Sequence, residues 1–184
     1  MKMSFLAGML AVVACATGGA GNEDLGPATK HVVYGESSSG STAPGSGPVT
    51  WYDIRNAALT TWQYLPIAYS RLGLTITKYD STTNVIEGER LRSRADFAGK
   101  PLSVILNCGD VARAPADTQY DVNIHVRTTL RGTDTTSSFA NTVTASARPG
   151  TVSGDSVACS IGATVSDRIA AAVTSAIAEG TKVE

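Results

Sequence analysis

Residues 119–131 read QYDVNIHVRTTLR, and this stretch decides the fold because apolar and polar side chains alternate along its whole length. Strict alternation predicts a β-strand with one buried side and one solvent-facing side, as in an antiparallel sheet. Val122 and Ile124 mark the side that we expect to be buried, and His125 and Arg127 mark the other. This is the clearest strand in the sequence.

The segments around this strand supply its predicted partners. Apolar residues spaced four and three positions apart, among them Trp62 and Tyr69, predict a helix that ends at Gly73. A second apolar stripe with a four-residue repeat predicts a last helix that begins after Ser160 and ends at Gly180. The other predicted elements are a weak strand at 49–54, a hairpin formed by 74–79 and 85–94, and a returning strand at 136–148.

This order of elements predicts an α+β fold. The first and last helices each carry one apolar stripe, and the long strands carry one apolar side. An antiparallel β-sheet with an N-terminal and a C-terminal helix packed on one face is the simplest arrangement that buries all of these surfaces. A chain of 184 residues is long enough for one such domain with a hydrophobic core.

The N-terminus predicts export and lipidation. Residues 1–14 read MKMSFLAGMLAVVA, in which a lysine precedes an apolar run too short to span a bilayer. The junction VVAC resembles the bacterial lipoprotein signal, in which the cysteine, here Cys15, is lipidated and becomes the mature N-terminus. No aspartate follows at Ala16, which favours the periplasmic face of the outer membrane over the inner membrane. The alternative is a secreted protein without a lipid, cleaved after Ala16 or Ala20.

Three cysteines are an odd number, which needs a reason in an exported protein. Lipidation of Cys15 leaves Cys108 and Cys159, which we expect to form a disulfide bond in an oxidising compartment. The alternative is Cys108 as a nucleophile with His125 as its base, which would need an activated thiolate in a shaped site.

Composition divides the chain into three parts. A signal peptide spans 1–14, a Gly/Ser-rich flexible tether spans 15–48, and a single α+β domain spans 49–184. The apolar cluster at 31–34 interrupts the tether and has two interpretations. It is either a chance cluster within a linker or a short segment that docks on a partner or adds to a sheet edge.

Several motifs resemble those of known envelope proteins. The motif W-x-x-L at 62–65, followed by Y-x-x-L-G-L at 69–74, is similar to the opening of domains in the outer-membrane assembly lipoprotein BamC. The motif L-x-C-G at 106–109 and the later Cys159 resemble uncharacterised secreted or lipid-anchored bacterial envelope proteins. The resemblance implies a BamC-like or helix-grip-like single domain in the cell envelope, and it implies no catalytic residues.

Alternating arginines indicate a candidate binding surface. Arg90, Arg92 and Arg94 occur at every second position, so we expect them on the solvent-facing side of their strand, with Leu91 on the buried side. Guanidinium groups bind carboxylates and phosphates, so this surface suits an anionic protein, a glycan or lipid headgroups. The alternative is a solvated sheet face with Glu89 among its counter-charges. The predicted partner-binding surface comprises Arg90, Arg92, Arg94, His125, Arg127 and Arg131.

Composition and motifs narrow the functional classes. Fifteen basic and sixteen acidic residues give a net charge of -1, which argues against a dedicated nucleic-acid binder. The sequence has no phosphate-binding loop, nucleophile elbow or zinc-ligand spacing, so we expect no enzyme activity, cofactor or metal site. The favoured function is a non-enzymatic, membrane-tethered envelope lipoprotein that binds protein partners. The alternative is a carrier of a small ligand or lipid, with a groove between sheet and helices.

Overall fold

The computed structural model describes residues 28–33, 49–93, 96–111, 114–115, 120–149 and 155–180. The strands are β1 (Thr29–Val33), β2 (Val49–Ile54), β3 (Thr75–Asp80), β4 (Val85–Ser93), β5 (Asp96–Phe97), β6 (Lys100–Pro101), β7 (Leu106–Asn107), β8 (Asp110–Val111), β9 (Ala114–Pro115), β10 (Tyr120–Gly132), β11 (Ser137–Pro149) and β12 (Val157–Ile161). The helices are α1 (Ala58–Arg71), α2 (Leu102–Ile105) and α3 (Thr164–Gly180).

The main sheet is antiparallel and has the strand order β1-β2-β11-β10-β4-β3. β2 pairs with β11 at 137–140, and β12 pairs with a later part of the same strand, at 145–147. β7 pairs with β12, while β5–β6 and β8–β9 form two small separate ladders. The described chain is therefore a mixed α+β structure with a mainly antiparallel sheet and three helices, which confirms the predicted fold class at that level.

The central hairpin follows the alternation of residues 119–131. β10 and β11 pair over their whole length, beginning with Tyr120 opposite Pro149. Val122 and Ile124 are fully buried, as predicted. The bounds of both strands differ from the predicted ones by one residue at each end.

α1 packs its apolar stripe into the core. It ends where predicted, because Gly73 follows in the left-handed conformation (φ 69°) that stops a helix. Leu65 and Tyr69 are fully buried, and the Tyr69 hydroxyl lies 2.7 Å from Oγ1 of Thr128 on β10. Burial raises the pKa of this phenol above its ordinary value. A Cβ atom on Gly88 would lie 2.7 Å from the Tyr69 ring, so only glycine lets the ring lie against β4.

α3 buries the predicted four-residue stripe, but its start differs from the prediction. The helix begins at Thr164, so a start directly after Ser160 is wrong. Ser160 and Ile161 pair with β7 as the end of β12. The strand ladder holds the backbone in an extended conformation there, so the helix begins only after the ladder ends. The stripe residues Val165, Ile169, Val173 and Ile177 are all fully buried.

β1 lies within the range predicted to be tether. Its five residues pair with β2, with His31 opposite Trp51. The cluster at 31–34 therefore adds to a sheet edge over the residues that the structure describes. Residues 29–33 therefore belong to the sheet, whereas the sequence composition predicts them as part of the tether.

Candidate functional site

The two faces of the sheet have different chemistry. Thr128 and Tyr52 lie on one face of the sheet. Thr128 forms a hydrogen bond with Tyr69 of α1, and Tyr52 forms one with Asp167 of α3. We call the other face of β4, β10 and β11 the polar face. Among its members are Glu87, Glu89, Leu91, Asn123, His125, Arg127, Arg131, Thr142, Thr144 and Ser146.

Acidic residues separate the cations of the polar face. The Glu87 carboxylate accepts a hydrogen bond from Nη1 of Arg127 at 3.1 Å and lies 3.6 Å from Nε2 of His125. In the ladder, Glu87 is opposite Arg127, and Glu89 is opposite His125. The face therefore carries positive and negative groups in neighbouring strands rather than a continuous basic strip.

Arg131 covers an aromatic side chain at one end of the polar face. Its guanidinium lies 3.7 Å from the centroid of the Trp51 ring, which is a cation–π contact. Trp51 is 6% exposed, and its indole nitrogen has no hydrogen-bond partner among the described residues. Beside it, Asp53 accepts a hydrogen bond from the Ser138 hydroxyl and lies 2.8 Å from Nδ1 of His31. Arg131 therefore contributes to covering the sheet as well as to its charge.

Arg90 does not belong to the polar face. It is opposite Ile124, whose side chain is fully buried on the face of the sheet opposite the polar face. Its guanidinium bonds to Asp96 at 3.2 Å and lies 5.9 Å from the centroid of the Phe97 ring. Leu91 points outward instead and is 58% exposed. The predicted orientation of this strand, with Arg90 toward solvent and Leu91 buried, is therefore wrong at these two residues.

Three other predicted site residues have no described side chain. Arg92 lies within β4, where only the backbone is described. Arg94 and Cys15 lie outside the described residues. The polar face therefore brings together His125, Arg127 and Arg131, half of the predicted partner-binding surface.

A shallow depression of about 150 Å³ opens on the polar face. His125 and Thr144 are opposite each other within it, and Leu91 lies at its side. Hydroxyl, imidazole, amide and carboxylate groups here offer both hydrogen-bond donors and acceptors. The sequence pattern does not predict Glu87 and Leu91 as members of this face. Ile86 is the residue from which both could have been assigned. Its apolar side chain is buried, so residues 87 and 91, at odd-numbered spacing from it along the same strand, lie on the opposite side.

Cys108 and Cys159 form the predicted disulfide, with an S–S distance of 2.04 Å. Cys108 directly follows β7 and Cys159 lies in β12, and these two strands pair with each other. The bond ties the segment after α2 to the strand before α3. Cys108 carries no thiol in this state, so the alternative of a nucleophilic Cys108 does not apply to the described structure.

A second cavity, of about 260 Å³, lies between β1, β2 and α3. The Tyr52 hydroxyl donates to Asp167 at 2.8 Å, and Nζ of Lys30 lies 3.0 Å from the same carboxylate. Burial, together with the bond to Asp167, raises the pKa of the Tyr52 phenol. Across the described ranges, no three His, Cys, Asp or Glu side chains are placed to hold a metal ion.

Comparison with family models, with curated proteins and with solved structures found no match for this chain. The BamC resemblance of the motifs at 62–74 therefore stays a prediction. Within the part of the chain that the structure covers, no helix has both the length and the apolar character needed to cross a bilayer. Function is accordingly inferred from the residues of this chain.

Proposed function

We propose that the protein is a lipid-anchored component of the bacterial cell envelope and acts as a non-enzymatic binding module for another protein. The polar face is the observation that carries this proposal. On it, Leu91 is 58% exposed and lines a depression together with charged and hydroxyl-bearing side chains. Protein–protein contacts combine apolar and polar side chains in one patch.

The N-terminal sequence and the disulfide support the location in the envelope. A cysteine at position 15 follows a short apolar run and a small residue. Stable anchoring by acyl chains on Cys15 needs two or more chains, because a single chain binds membranes reversibly. Disulfides such as Cys108–Cys159 persist in oxidising compartments, including the periplasm. We place the protein at the periplasmic face of the outer membrane.

The proposed docking surface depends on how the long helices lie on the sheet. We infer that α1 and α3 cover the same face, as in a BamC-like or helix-grip-like domain. The bonds of Tyr69 to Thr128 and of Asp167 to Tyr52 support this, because Thr128 and Tyr52 share a face in the strand register. Such an arrangement leaves the polar face accessible to a partner.

A carrier of a small ligand or lipid is the second candidate, and the cavity beside Tyr52 is the observation that favours it. At about 260 Å³ the cavity is smaller than the range of about 300–1,000 Å³ typical of ligand sites. Its polar groups also satisfy one another, since both Lys30 and Tyr52 bond to Asp167. We therefore favour the binding module.

Replacing Cys15 with alanine should release the protein from the membrane fraction or leave the precursor uncleaved, because the lipid attaches at this residue. The matched control is Thr17→Ala, which keeps the cysteine and the apolar run. Fractionation followed by mass spectrometry of the mature chain measures both outcomes. A Cys15→Ala protein that stays in the membrane with an unchanged mature mass would contradict the lipoprotein proposal.

Replacing Leu91 and Arg127 together with serine should lower partner crosslinking to the anchored protein about tenfold or more, as expected for the centre of a binding surface. Folding should change little, because Leu91 is exposed and the Arg127–Glu87 ion pair is partly exposed. Crosslinking in intact membranes, followed by mass spectrometry, is the measurement.

The matched control for this pair is Arg90→Ser, which changes the neighbouring residue on the opposite face of the same strand. Equal losses in the control and in the double variant would show that the polar face is not the docking surface. If the protein is a carrier instead, Ala171→Phe should fill the cavity and abolish capture while the polar-face variant still captures its ligand.

A further inference from the structure

β1 is weakly held compared with the strand beside it. It lies at the edge of the main sheet and pairs with β2 alone among the described strands. None of its five side chains is buried. β2, by contrast, buries Trp51, Tyr52 and Ile54. Detaching β1 would therefore remove little apolar surface from the core, and such segments open at a lower free energy than the whole domain.

Two side chains of β1 attach it to acidic residues. Nζ of Lys30 lies 3.0 Å from Oδ1 of Asp167, and Nδ1 of His31 lies 2.8 Å from Oδ2 of Asp53. All four side chains are between 39% and 49% exposed. Exposed polar contacts of this kind add little to stability, but the two carboxylates favour hydrogen-bond donors and cations on an incoming strand.

We propose that the edge of β2 that faces β1 is a strand-binding site, which β1 occupies within the chain and which an extended basic segment of a partner protein occupies when β1 is displaced. Backbone groups of residues 49–53 would pair with the partner as they now pair with β1. This site is distinct from the polar face and does not depend on the docking proposed there.

The contacts of β1 define the partner's chemistry. Neighbouring residues of a strand point to opposite faces, so the site reads two consecutive side chains separately. One must be a long cation that reaches Asp167 and passes over the Tyr52 ring, where Nζ of Lys30 lies 5.9 Å from the centroid. The next must be a donor or cation that reaches Asp53. The site therefore fits Lys or Arg followed by His, Lys or Arg in an extended chain.

Displacement of β1 would also lengthen the connection to the membrane, a consequence that rests on the proposed lipidation of Cys15. With β1 paired, the chain from Cys15 to the sheet ends at Thr29, and full extension allows about 50 Å. With β1 released, the connection runs to Val49, and the limit rises to about 120 Å. Binding of a partner strand would then let the domain move farther from its membrane.

The test uses the full mature chain in detergent and a fluorescent peptide of residues 27–34, PATKHVVY, as the probe. The chain variant Lys30→Ser with His31→Ser weakens the internal strand. We expect it to bind the peptide about 3- to 10-fold more tightly than the unaltered chain, since apparent affinity follows the fraction of chains with a free edge. Fluorescence anisotropy measures this ratio, and the result does not depend on lipidation or on the polar face.

Two controls make the result decisive. A chain with Val32→Cys and Thr50→Cys, which are opposite each other in the ladder, should lose peptide binding when oxidised. A peptide with glutamate in place of its lysine and histidine should bind at least about tenfold more weakly. Peptide binding by the locked chain, equal binding of the glutamate peptide, or no binding to the weakened chain would each overturn the proposal.

Hydrogen exchange provides a second, independent measurement. If β1 detaches while the domain stays folded, its amides should exchange at least about tenfold faster than those of β10. Equal protection of β1 and β10 would overturn the proposal even if a peptide bound.

Discussion

Replacing Trp62 with alanine should lower the free energy of unfolding by about 3–5 kcal/mol, the usual cost of removing a large aromatic side chain from a core. Trp62 is 7% exposed and stacks on Tyr79 of β3, with the ring centroids 4.4 Å apart. The backbone carbonyl of Trp62 also accepts a bond from the Tyr79 hydroxyl at 3.5 Å. Denaturation of the protein in urea, monitored by circular dichroism, measures the change.

Gln63 is the matched control, because it is the next residue of α1 and is exposed. Its replacement by alanine should cost under about 1 kcal/mol. Similar small effects at Trp62 and Gln63 would show that the assigned orientation of α1 is wrong.

Thr61, on the other side of Trp62, corrects an expectation from the helical spacing. The spacing places Thr61 off the apolar stripe, which predicts that Thr61→Ala is nearly neutral. In the structure Thr61 is fully buried, and its hydroxyl lies 2.7 Å from that of Ser137. Removing it leaves the Ser137 hydroxyl without this partner, which typically costs about 1–3 kcal/mol. The helix periodicity is right, but the buried side of α1 is wider than its apolar stripe.

The elements that the sequence predicts well are the ones in which many residues repeat one signal. The strand at 119–131 alternates over its whole length, so its buried side does not depend on any single residue. The α3 stripe is similar, with four fully buried residues at four-residue spacing. In such segments a local exception changes a boundary by a residue or a few but leaves the orientation intact.

The orientation of β4 is predicted wrongly because its alternation has few apolar markers. Leu91 is apolar, which favours the buried side, yet it is exposed. Gly88 carries no side chain to mark a face, and the space above it is filled by Tyr69 from a distant part of the chain. Ile86 marks the correct face. The register of β4 on β10 shifts after Arg90, however, so the alternation that starts at Ile86 does not assign the residues beyond Leu91 to a face. The sequence alone therefore does not determine which residues of β4 lie on the polar face, and the structure is needed to assign them.

The sequence pattern does not assign β1 to the folded domain, and the reason is different. Its pairing joins it to β2 across the intervening chain at 34–48, and no short-range pattern determines that register. Its surroundings are rich in glycine and serine, which favours the interpretation as tether. The contacts that attach it, to Asp53 and Asp167, come from two other elements and have no counterpart in the local sequence.

Replacing both Cys108 and Cys159 with serine should lower the free energy of unfolding by about 4 kcal/mol in the chain-entropy model. The two cysteines are 51 residues apart, so the bond restricts a large part of the unfolded chain, including the whole of β10 and β11. A loss of this size is a large share of the stability of a domain this small. Urea denaturation of the double variant, compared with that of the unaltered oxidised chain, measures this loss.

Chemical reduction of the unaltered chain is the matched control, because it opens the same bond without changing a residue. Both treatments should lower the denaturation midpoint by a similar amount. The variant Cys15→Ser should leave the midpoint unchanged, since Cys15 is not part of the disulfide. A double variant as stable as the oxidised chain would contradict the prediction. Such a result would mean that the pairing of β7 with β12 alone holds this region, so that the bond adds no measurable constraint. A loss in the double variant but not on reduction would instead assign the effect to packing of the cysteine side chains, of which Cys108 is buried, since serine removes the sulfur atoms and reduction does not.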